Sequence, residues 1–321
     1  WLGMTGLLTA SMGAVGGAAA TGPGMAWWQA AILGLVEGIT EYLPVSSTGH
    51  LILASSLMGL DDPARREAVN AFNIVIQGGA ILAVLGLYFP RIVQMLRGLV
   101  GKDPVGLKLA INLMIAFAPA AVLGLLLNEA IERALFHPWP VLLALALGGV
   151  YMIVLDRWKI APMRRAEAAG ATPAGGHEID DLNALQALAI GFMQCIAMWP
   201  GTSRSMMTIT GGVLVGLRPR AAAEFSFLLG LPTLGGACVL SLYKNLTESP
   251  PGENLFDLLG VWPIVIGISV ATVSAVLAVR WLVGFLNKHG LAGFGWYRLV
   301  LAAALGSALL AGWVNIAPPA G

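Results

Sequence analysis

Residues 35–50, LVEGITEYLPVSSTGH, decide how the rest of the chain can fold. They place two carboxylates, a run of hydroxyl side chains and a histidine in a chain that is 57% hydrophobic and only 11% charged. An ionisable side chain at membrane depth costs roughly a few kcal/mol or more, so it marks a functional site rather than a lipid-facing surface. We therefore treat this stretch as the centre of a site and the apolar sequence around it as its support.

The composition is that of a membrane protein. Soluble domains carry about 25% charged residues, and the mean hydropathy of this chain is +0.80. Apolar runs of about 20 residues are typical of membrane-spanning helices. The net charge of +1 provides no strongly basic face of the kind that nucleic acid requires. We expect the bilayer as the surroundings and no nucleic acid as a partner.

The order of apolar and polar segments predicts an all-α integral membrane protein with about six transmembrane helices. Two further apolar segments, 27–60 and 182–215, are each interrupted by a short polar break. Irregular backbone at membrane depth is tolerated only where it is buried in protein or lines a wet cavity. We therefore predict two re-entrant helix hairpins and, over 156–181, an exposed loop. The six predicted spans are 72–89, 109–128, 141–155, 222–243, 259–279 and 297–314.

The two broken segments indicate an internal repeat. LGLVE at 33–37 aligns with IGFMQ at 190–194, and PVSS at 44–47 aligns with PGTS at 200–203 after a slip of one residue. We predict a single membrane domain over 25–318, made of repeats at about 25–156 and 182–318. Residues 1–24, which are rich in Gly and Ala, are read as an extension that is weakly ordered or not native.

The distribution of basic residues predicts opposite orientations for the two repeats. The connections 90–108 and 156–182 each contain four Lys or Arg residues, whereas 129–137 and 244–258 contain one each. Cytoplasmic loops are enriched in Lys and Arg, so the first broken segment starts and ends outside and the second inside. Such inverted-topology repeats place their sites near the midplane, at discontinuous helices.

Glu37 and Glu41 form an acidic pair on one face of the predicted first helix, because residues four apart on a helix are neighbours. One interpretation is that they hold a divalent metal together with substrate phosphates. Another is that one carboxyl is protonated and the pair does acid–base work. The remaining interpretation is a solvated helix face at the membrane surface.

Ser46, Ser47 and Thr48 follow the acidic pair, and His50 closes the motif. The hydroxyl groups can donate hydrogen bonds to anionic oxygens, or one of them can be a nucleophile. They can also cap the second short helix. His50 lies three or four residues further on, within reach as an acid or base.

The second break contains a single cation, Arg204, among the hydroxyl residues Thr202, Ser203 and Ser205. The arginine fork suits a phosphate, and the alternative is a structural salt bridge to Glu37 or Glu41. Gln77, inside an apolar span, either reaches the same site or bonds to a neighbouring helix. The combined set of groups suits phosphoryl transfer on a lipid phosphate.

Four segments resemble the undecaprenyl-diphosphatase family, also known as bacitracin-resistance proteins. They are EGITEYLPVSSTGH at 37–50, NIVIQ at 73–77, PGTSRSMMTI at 200–209 and EFSFLLGLP at 224–232. The resemblance implies an inverted repeat with two re-entrant helix pairs. It also implies cleavage of undecaprenyl diphosphate to the monophosphate, which recycles the lipid carrier of cell-wall synthesis with a divalent cation, Mg²⁺ or Ca²⁺.

The resemblance also implies roles for particular residues. Glu37 and Glu41 would hold the metal or manage protons, and Arg204 would bind the diphosphate. Ser47 would be the nucleophile or phosphate anchor with His50 as acid–base partner, while direct attack by water stays open. We predict substrate contacts from Ser46, Thr48, Thr202, Ser203, Ser205 and Gln77. Met206 replaces a residue that is usually small in the family, and we expect it to narrow the site.

The rival interpretation is a polyprenyl-phosphate transporter or flippase, because an inverted repeat with broken helices suits alternating access equally well. For either function we expect a multi-pass protein of the bacterial inner membrane that can form a homodimer. The outward opening of the first break places the site towards the periplasm.

Overall fold

The computed structural model describes residues 24–60, 66–135, 137–170, 176–250 and 252–312. Within these ranges the regular structure is helical apart from one isolated bridge between His177 and Leu217. The prediction of an all-α protein is confirmed. The extension predicted at 1–24 lies outside the described residues except for Gly24.

The described part of the chain contains thirteen α-helices. Six helical segments in it are long and apolar enough to cross a membrane, and one of these, Pro138–Ala168, combines two of the thirteen helices. The number of predicted spans is therefore confirmed. The helices are α1 (Trp27–Thr40), α2 (Ser47–Leu57), α3 (Arg66–Leu87), α4 (Phe89–Leu99), α5 (Pro104–Leu135), α6 (Pro138–Leu155), α7 (Ala161–Ala168), α8 (Ala184–Ile196), α9 (Arg204–Leu214), α10 (Pro219–Glu248), α11 (Leu255–Leu259), α12 (Val261–His289) and α13 (Ala292–Leu310).

Two pairs of short helices flank the two polar breaks, α1 with α2 and α8 with α9. With 14 residues, α1 is about 21 Å long at 1.5 Å per residue, and α2 has only 11 residues. Neither is long enough to cross a hydrocarbon core of about 30 Å alone. Both segments are thus interrupted at the polar breaks that the sequence predicted.

The second half of the chain repeats the first at an offset of 157 residues. Helix α2 runs from Ser47 to Leu57 and α9 from Arg204 to Leu214, so both ends are separated by 157 positions. Ser46 and Ser203, the only described non-glycine residues with positive φ, share a φ of 76° at the same offset. The slip of one residue predicted between the breaks is therefore wrong. At the offset of 157 residues the counterpart of Pro44 is Gly201. The sequence alignment paired Pro44 with Pro200 because both residues are prolines.

The broken pair of each half packs against a long helix of the other half, as expected for two halves related by a two-fold rotation. Helix α1 packs on α12 of the other half, and its counterpart α8 packs on α5. Gly34 and Gly267 allow this close approach, since a Cβ at Gly34 would lie 2.4 Å from the Gly267 carbonyl oxygen. Helices α3 and α10, like α6 and α13, pack against their own counterparts. These contacts bring the two breaks together, since Arg204 reaches Glu41 and Ser205 reaches the Leu43 carbonyl.

The exposed loop predicted at 156–181 is partly wrong. A π-helical turn at Asp156–Ile160 continues α6 into α7, which ends at Ala168. Asp156 is buried, and its carboxylate accepts a hydrogen bond from the Leu291 backbone N–H at 2.7 Å. This carboxylate fixes the start of α13 to the end of α6, a contact that a polar sequence pattern alone does not reveal.

Candidate active site

The acidic pair of the first break is buried in the protein. Glu41 continues the turn after α1, where its backbone N–H bonds to the Glu37 carbonyl, and its side chain is 6% exposed. The hydroxyl of Ser47 donates to Glu41 Oε2 at 2.8 Å. A solvated helix face is therefore the wrong interpretation of this pair. A serine hydroxyl bonded to a buried carboxylate is an arrangement that can activate a nucleophile.

Glu37 is fully buried, and neither of its carboxylate oxygens has a hydrogen-bond partner among the described residues. It lies against Glu41 and within electrostatic range of Arg204. A buried carboxyl group without partners costs free energy in the folded protein. Such a group is characteristic of a site that is completed by a proton, a cation or a ligand.

Arg204 joins the second break to the first. Its Nη2 lies 3.2 Å from Glu41 Oε1, and its Nη1 donates to the Ser226 carbonyl at 3.0 Å. The guanidinium also lies over the Tyr42 ring, 5.6 Å from the centroid. Its Nε has no partner in the described structure. Arg204 thus pairs with Glu41, as one interpretation predicted, and retains a free donor.

Gly230 makes room for this arginine. A Cβ atom at Gly230 would lie 3.1 to 3.3 Å from three guanidinium atoms of Arg204. Helix α10 therefore presents a bare backbone to Arg204 at Gly230 and a carbonyl acceptor one turn earlier at Ser226. Both residues belong to the segment EFSFLLGLP, whose role the sequence did not specify.

A cavity of about 160 Å³ lies where the two breaks meet. Several lining residues are counterparts at the 157-residue offset, including Ser46 with Ser203 and Ser47 with Arg204, so equivalent positions of both halves line the cavity. The N-terminal ends of α2 and α9 both border it. The lining consists of Glu41, Ser46, Ser47, Thr48, Gln77, Ala197, Pro200, Gly201, Ser203, Arg204 and Leu234.

Three other predicted residues of the second break have different surroundings. Ser203 lines the cavity and caps α9, since its hydroxyl accepts the Met206 N–H at 3.3 Å. Ser205 is fully buried and donates to the Leu43 carbonyl at 2.9 Å, which links the two breaks. Thr202 is buried and does not line the cavity. Met206 does not line the cavity, so the expected narrowing is wrong. Its methyl group lies near Gly148 instead.

His50 does not line the cavity. Its Nδ1 lies 2.7 Å from the Ser46 carbonyl, and its Nε2 lies 2.6 Å from the Tyr297 hydroxyl. Because a carbonyl only accepts, Nδ1 carries the hydrogen and Tyr297 donates to Nε2. The nitrogen that faces the break is therefore Nδ1.

The residues that the sequence reasoning missed are Tyr42, Ser226, Gly230, Tyr297 and Arg298. Arg298 is fully buried and bonds to the carbonyl of Gly201 in the second break at 2.7 Å. It is a single arginine in an apolar segment, the same signal that identified Arg204. The other four contribute the ring of Tyr42, the backbone carbonyl of Ser226, the missing side chain of Gly230 and the hydroxyl of Tyr297. None of these is a charged group in apolar sequence, so the sequence does not single them out.

The donors present fit a divalent cation only in part. Among the described residues no group of three or more His, Cys, Asp or Glu side chains could hold a metal. Glu37 and Glu41 provide two adjacent carboxylates, and both oxygens of Glu37 lack partners. This matches Mg²⁺ sites that use one or two carboxylates and complete the shell with phosphate oxygens and water.

The fold and the site together define a class, the multi-pass α-helical membrane proteins with a charged site at two broken helices. The chain belongs to the family described as "Bacitracin resistance protein BacA", whose sequence model matches residues 30–304. The family resemblance found from the motifs is confirmed.

Curated relatives match most of the chain. An "Undecaprenyl-diphosphatase" of Sorangium cellulosum (strain So ce56) is 46% identical over 280 residues, covering 87% of this chain and 85% of the relative. An "Undecaprenyl-diphosphatase" of Cereibacter sphaeroides (strain ATCC 17029 / ATH 2.4.9) is 42% identical, covering 88% and 97%. The "Undecaprenyl-diphosphatase 2" of Rhodospirillum rubrum is 43% identical, covering 89% and 96%.

Proposed function

We propose that the chain is an integral membrane phosphatase that hydrolyses undecaprenyl diphosphate to undecaprenyl phosphate and inorganic phosphate. The observation that carries this proposal is one cavity that joins Ser47 and Glu41 of the first break to Arg204 of the second. The names of the relatives support the same substrate. They give no support to the flippase alternative.

The cavity suits a diphosphate because two helix N-termini border it. Free N–H groups and the helix dipole make an N-terminus a ready anion site. Ser46, the N-cap of α2, makes no side-chain capping bond, whereas Ser203 caps α9. The N-terminus of α2 therefore retains donors for phosphate oxygens, and Arg204 adds its free Nε.

Ser47 and Glu41 are placed for the chemical step. Glu41 would accept the proton of the Ser47 hydroxyl while Ser47 Oγ attacks the terminal phosphorus, or it would accept the proton of a water attacking at the same position. The bond from that phosphorus to the bridging oxygen breaks, and the lipid monophosphate leaves with the proton that Glu41 returns to it. In the serine route a water molecule then cleaves the bond between phosphorus and Ser47 Oγ, Glu41 passes the water proton to Oγ, and inorganic phosphate is released. His50 lies outside the cavity and its Nδ1 is bonded to the Ser46 carbonyl, so the proposed acid–base role of His50 requires this hydrogen bond to open.

The proposed cofactor is a divalent cation, Mg²⁺ or Ca²⁺, held by Glu37 and Glu41. Such an ion would neutralise charge on the phosphate oxygens. Glu37, which has no partner of its own, would gain one. Thr48 and Gln77 line the cavity and would contact the diphosphate.

The placement in the membrane is part of the proposal. Each half contributes three helices long enough to span the bilayer. An odd number of crossings turns the second half upside down if both broken pairs are re-entrant. We propose a location in the bacterial inner membrane with the site open towards the periplasm, and self-association as a homodimer.

The test is phosphate release from a C55 diphosphate by the purified protein in detergent, without a gradient. We expect stoichiometric release, loss of release in EDTA, and loss in Glu41→Gln, His50→Ala and Arg204→Ala. A transporter would release no phosphate under these conditions. Near-normal turnover in all three variants would reject the assigned site.

A further inference from the structure

Two adjacent residues of α13 each hold one of the two breaks. Tyr297 bonds to His50 of the first broken pair, and Arg298 bonds to Gly201 in the second break. Neither residue lines the cavity.

The contact from Tyr297 fixes the first break through His50. The rings of the two residues stack in parallel, with centroids 5.6 Å apart and an interplanar angle of 1°. The hydroxyl of Tyr297 occupies Nε2, so that Nδ1 bonds to the carbonyl of Ser46. Ser46 has a φ of 76°, which is uncommon for a residue with a side chain. The bond from His50 therefore holds a sterically disfavoured turn in place, directly before Ser47.

The contact from Arg298 fixes the second break to α6. Its Nη2 donates to the carbonyls of Gly201 at 2.7 Å and Ala144 at 3.0 Å, and its Nε donates to Leu145 at 3.3 Å. A Cβ at Gly148 would lie 2.6 Å from Nη2, so the guanidinium has little freedom. Gly201 lines the cavity three residues before Arg204.

The burial of Arg298 is costly unless it serves the site. The side chain is fully buried, its Nη1 has no partner, and no described carboxylate pairs with it. Replacing a buried charge by a well-packed apolar residue is often neutral or stabilising. Two of the three carbonyls that Arg298 bonds belong to α6 and the third belongs to the second break, so the rigid guanidinium fork is suited to holding this break in one position on α6.

We propose that Tyr297 and Arg298 are positioning residues, which set the two breaks so that Ser47 and Arg204 face the same diphosphate. This inference rests on the proposed function. The two residues act on different breaks and have different consequences. Tyr297 supports the break that carries Ser47 and therefore the chemical step, whereas Arg298 supports the break that carries Arg204 and therefore diphosphate binding.

The experiment compares Tyr297→Phe and Arg298→Lys in the purified full-length protein, with a C55 diphosphate as the probe. Tyr297→Phe keeps the stacked ring and removes one oxygen. Arg298→Lys keeps the charge and removes the planar fork. The matched controls are Tyr243→Phe and Arg280→Lys, which change exposed residues of α10 and α12. kcat, KM and the unfolding temperature are measured for each.

We expect Tyr297→Phe to lower kcat about tenfold with KM within about twofold of wild type, as for loss of one positioned hydrogen bond. Arg298→Lys should raise KM about tenfold with a smaller change in kcat. A purely structural role would lower the unfolding temperature and the active fraction in both variants and leave KM unchanged.

The proposal is overturned if both variants match their controls, or if both lose only active protein without a split between kcat and KM. If Arg298→Lys does not fold, Tyr297→Phe is the test. A kcat about tenfold below that of its control supports the proposal, and a kcat equal to that of the control overturns it. An inactive wild-type protein would instead reject the proposed function. An active wild type with control-like variants rejects only the positioning roles.

Discussion

Replacing Gly230 by alanine should lower the activity of the site without weakening the fold. The new Cβ would lie 3.1 Å from Arg204 Nη1 and 3.2 Å from Nη2, closer than ordinary contact, so the guanidinium must move by a few tenths of an ångström. The bonds it makes are 3.2 Å to Glu41 and 3.0 Å to the Ser226 carbonyl. A displacement of this size lengthens at least one of them, and hydrogen bonds weaken beyond about 3.2 Å.

The expected cost is about 1 to 2 kcal/mol for a weakened charge-assisted bond, which corresponds to roughly a fivefold to thirtyfold loss of kcat/KM. Stability should move the other way, because alanine in a helix is favoured over glycine by up to about 1 kcal/mol. Gly235→Ala is the control, since it lies in the same helix and its Cβ would meet nothing within 4 Å.

The assay is phosphate release at several substrate concentrations, together with thermal unfolding of both variants. The reasoning is refuted if Gly230→Ala retains the kcat/KM of Gly235→Ala, or if its activity falls only in proportion to a loss of folded protein.

Two further predictions concern the acidic pair. Glu37→Gln should raise the unfolding temperature in EDTA by several degrees, because it removes a fully buried carboxylate without hydrogen-bond partners. Burying such a group costs about 1–3 kcal/mol of folding free energy. The same variant should release less phosphate than the wild type. A lower unfolding temperature would show that Glu37 has a stabilising partner. Chelation should abolish phosphate release by the wild type, and Mg²⁺ or Ca²⁺ should restore it. Unchanged release in EDTA would exclude the proposed cation.

The sequence predicted the broken helices and the charged partners because the membrane makes polar residues costly. Glu41 and Arg204 stand out in apolar sequence, and the structure brings them within 3.2 Å although 163 positions separate them. Six spans were likewise predicted correctly, since length and hydropathy carry that information. The same reasoning applied to Arg298 would have identified it as a further buried cation.

Other features could not be predicted from residue type. The alignment of the two halves depends on backbone conformation. Ser46 and Ser203 have the same φ and are therefore equivalent positions, whereas the prolines at 44 and 200 suggested an alignment shifted by one residue. The buried role of Asp156 depends on a backbone N–H far along the chain, at Leu291. Backbone N–H donors of this kind are present at every residue except proline, so the use of one of them by a side chain leaves no mark in the sequence.

The central claim is that the two halves form one catalytic unit through Glu41 and Arg204. The most direct measurement is a double-mutant cycle in which kcat/KM for phosphate release is determined for Glu41→Gln, Arg204→Gln and the two together. If the residues act as one unit, each single change should lower kcat/KM by about 100-fold or more, and the double variant should lose little beyond either. Losses that multiply in the double variant would show independent roles and contradict the account.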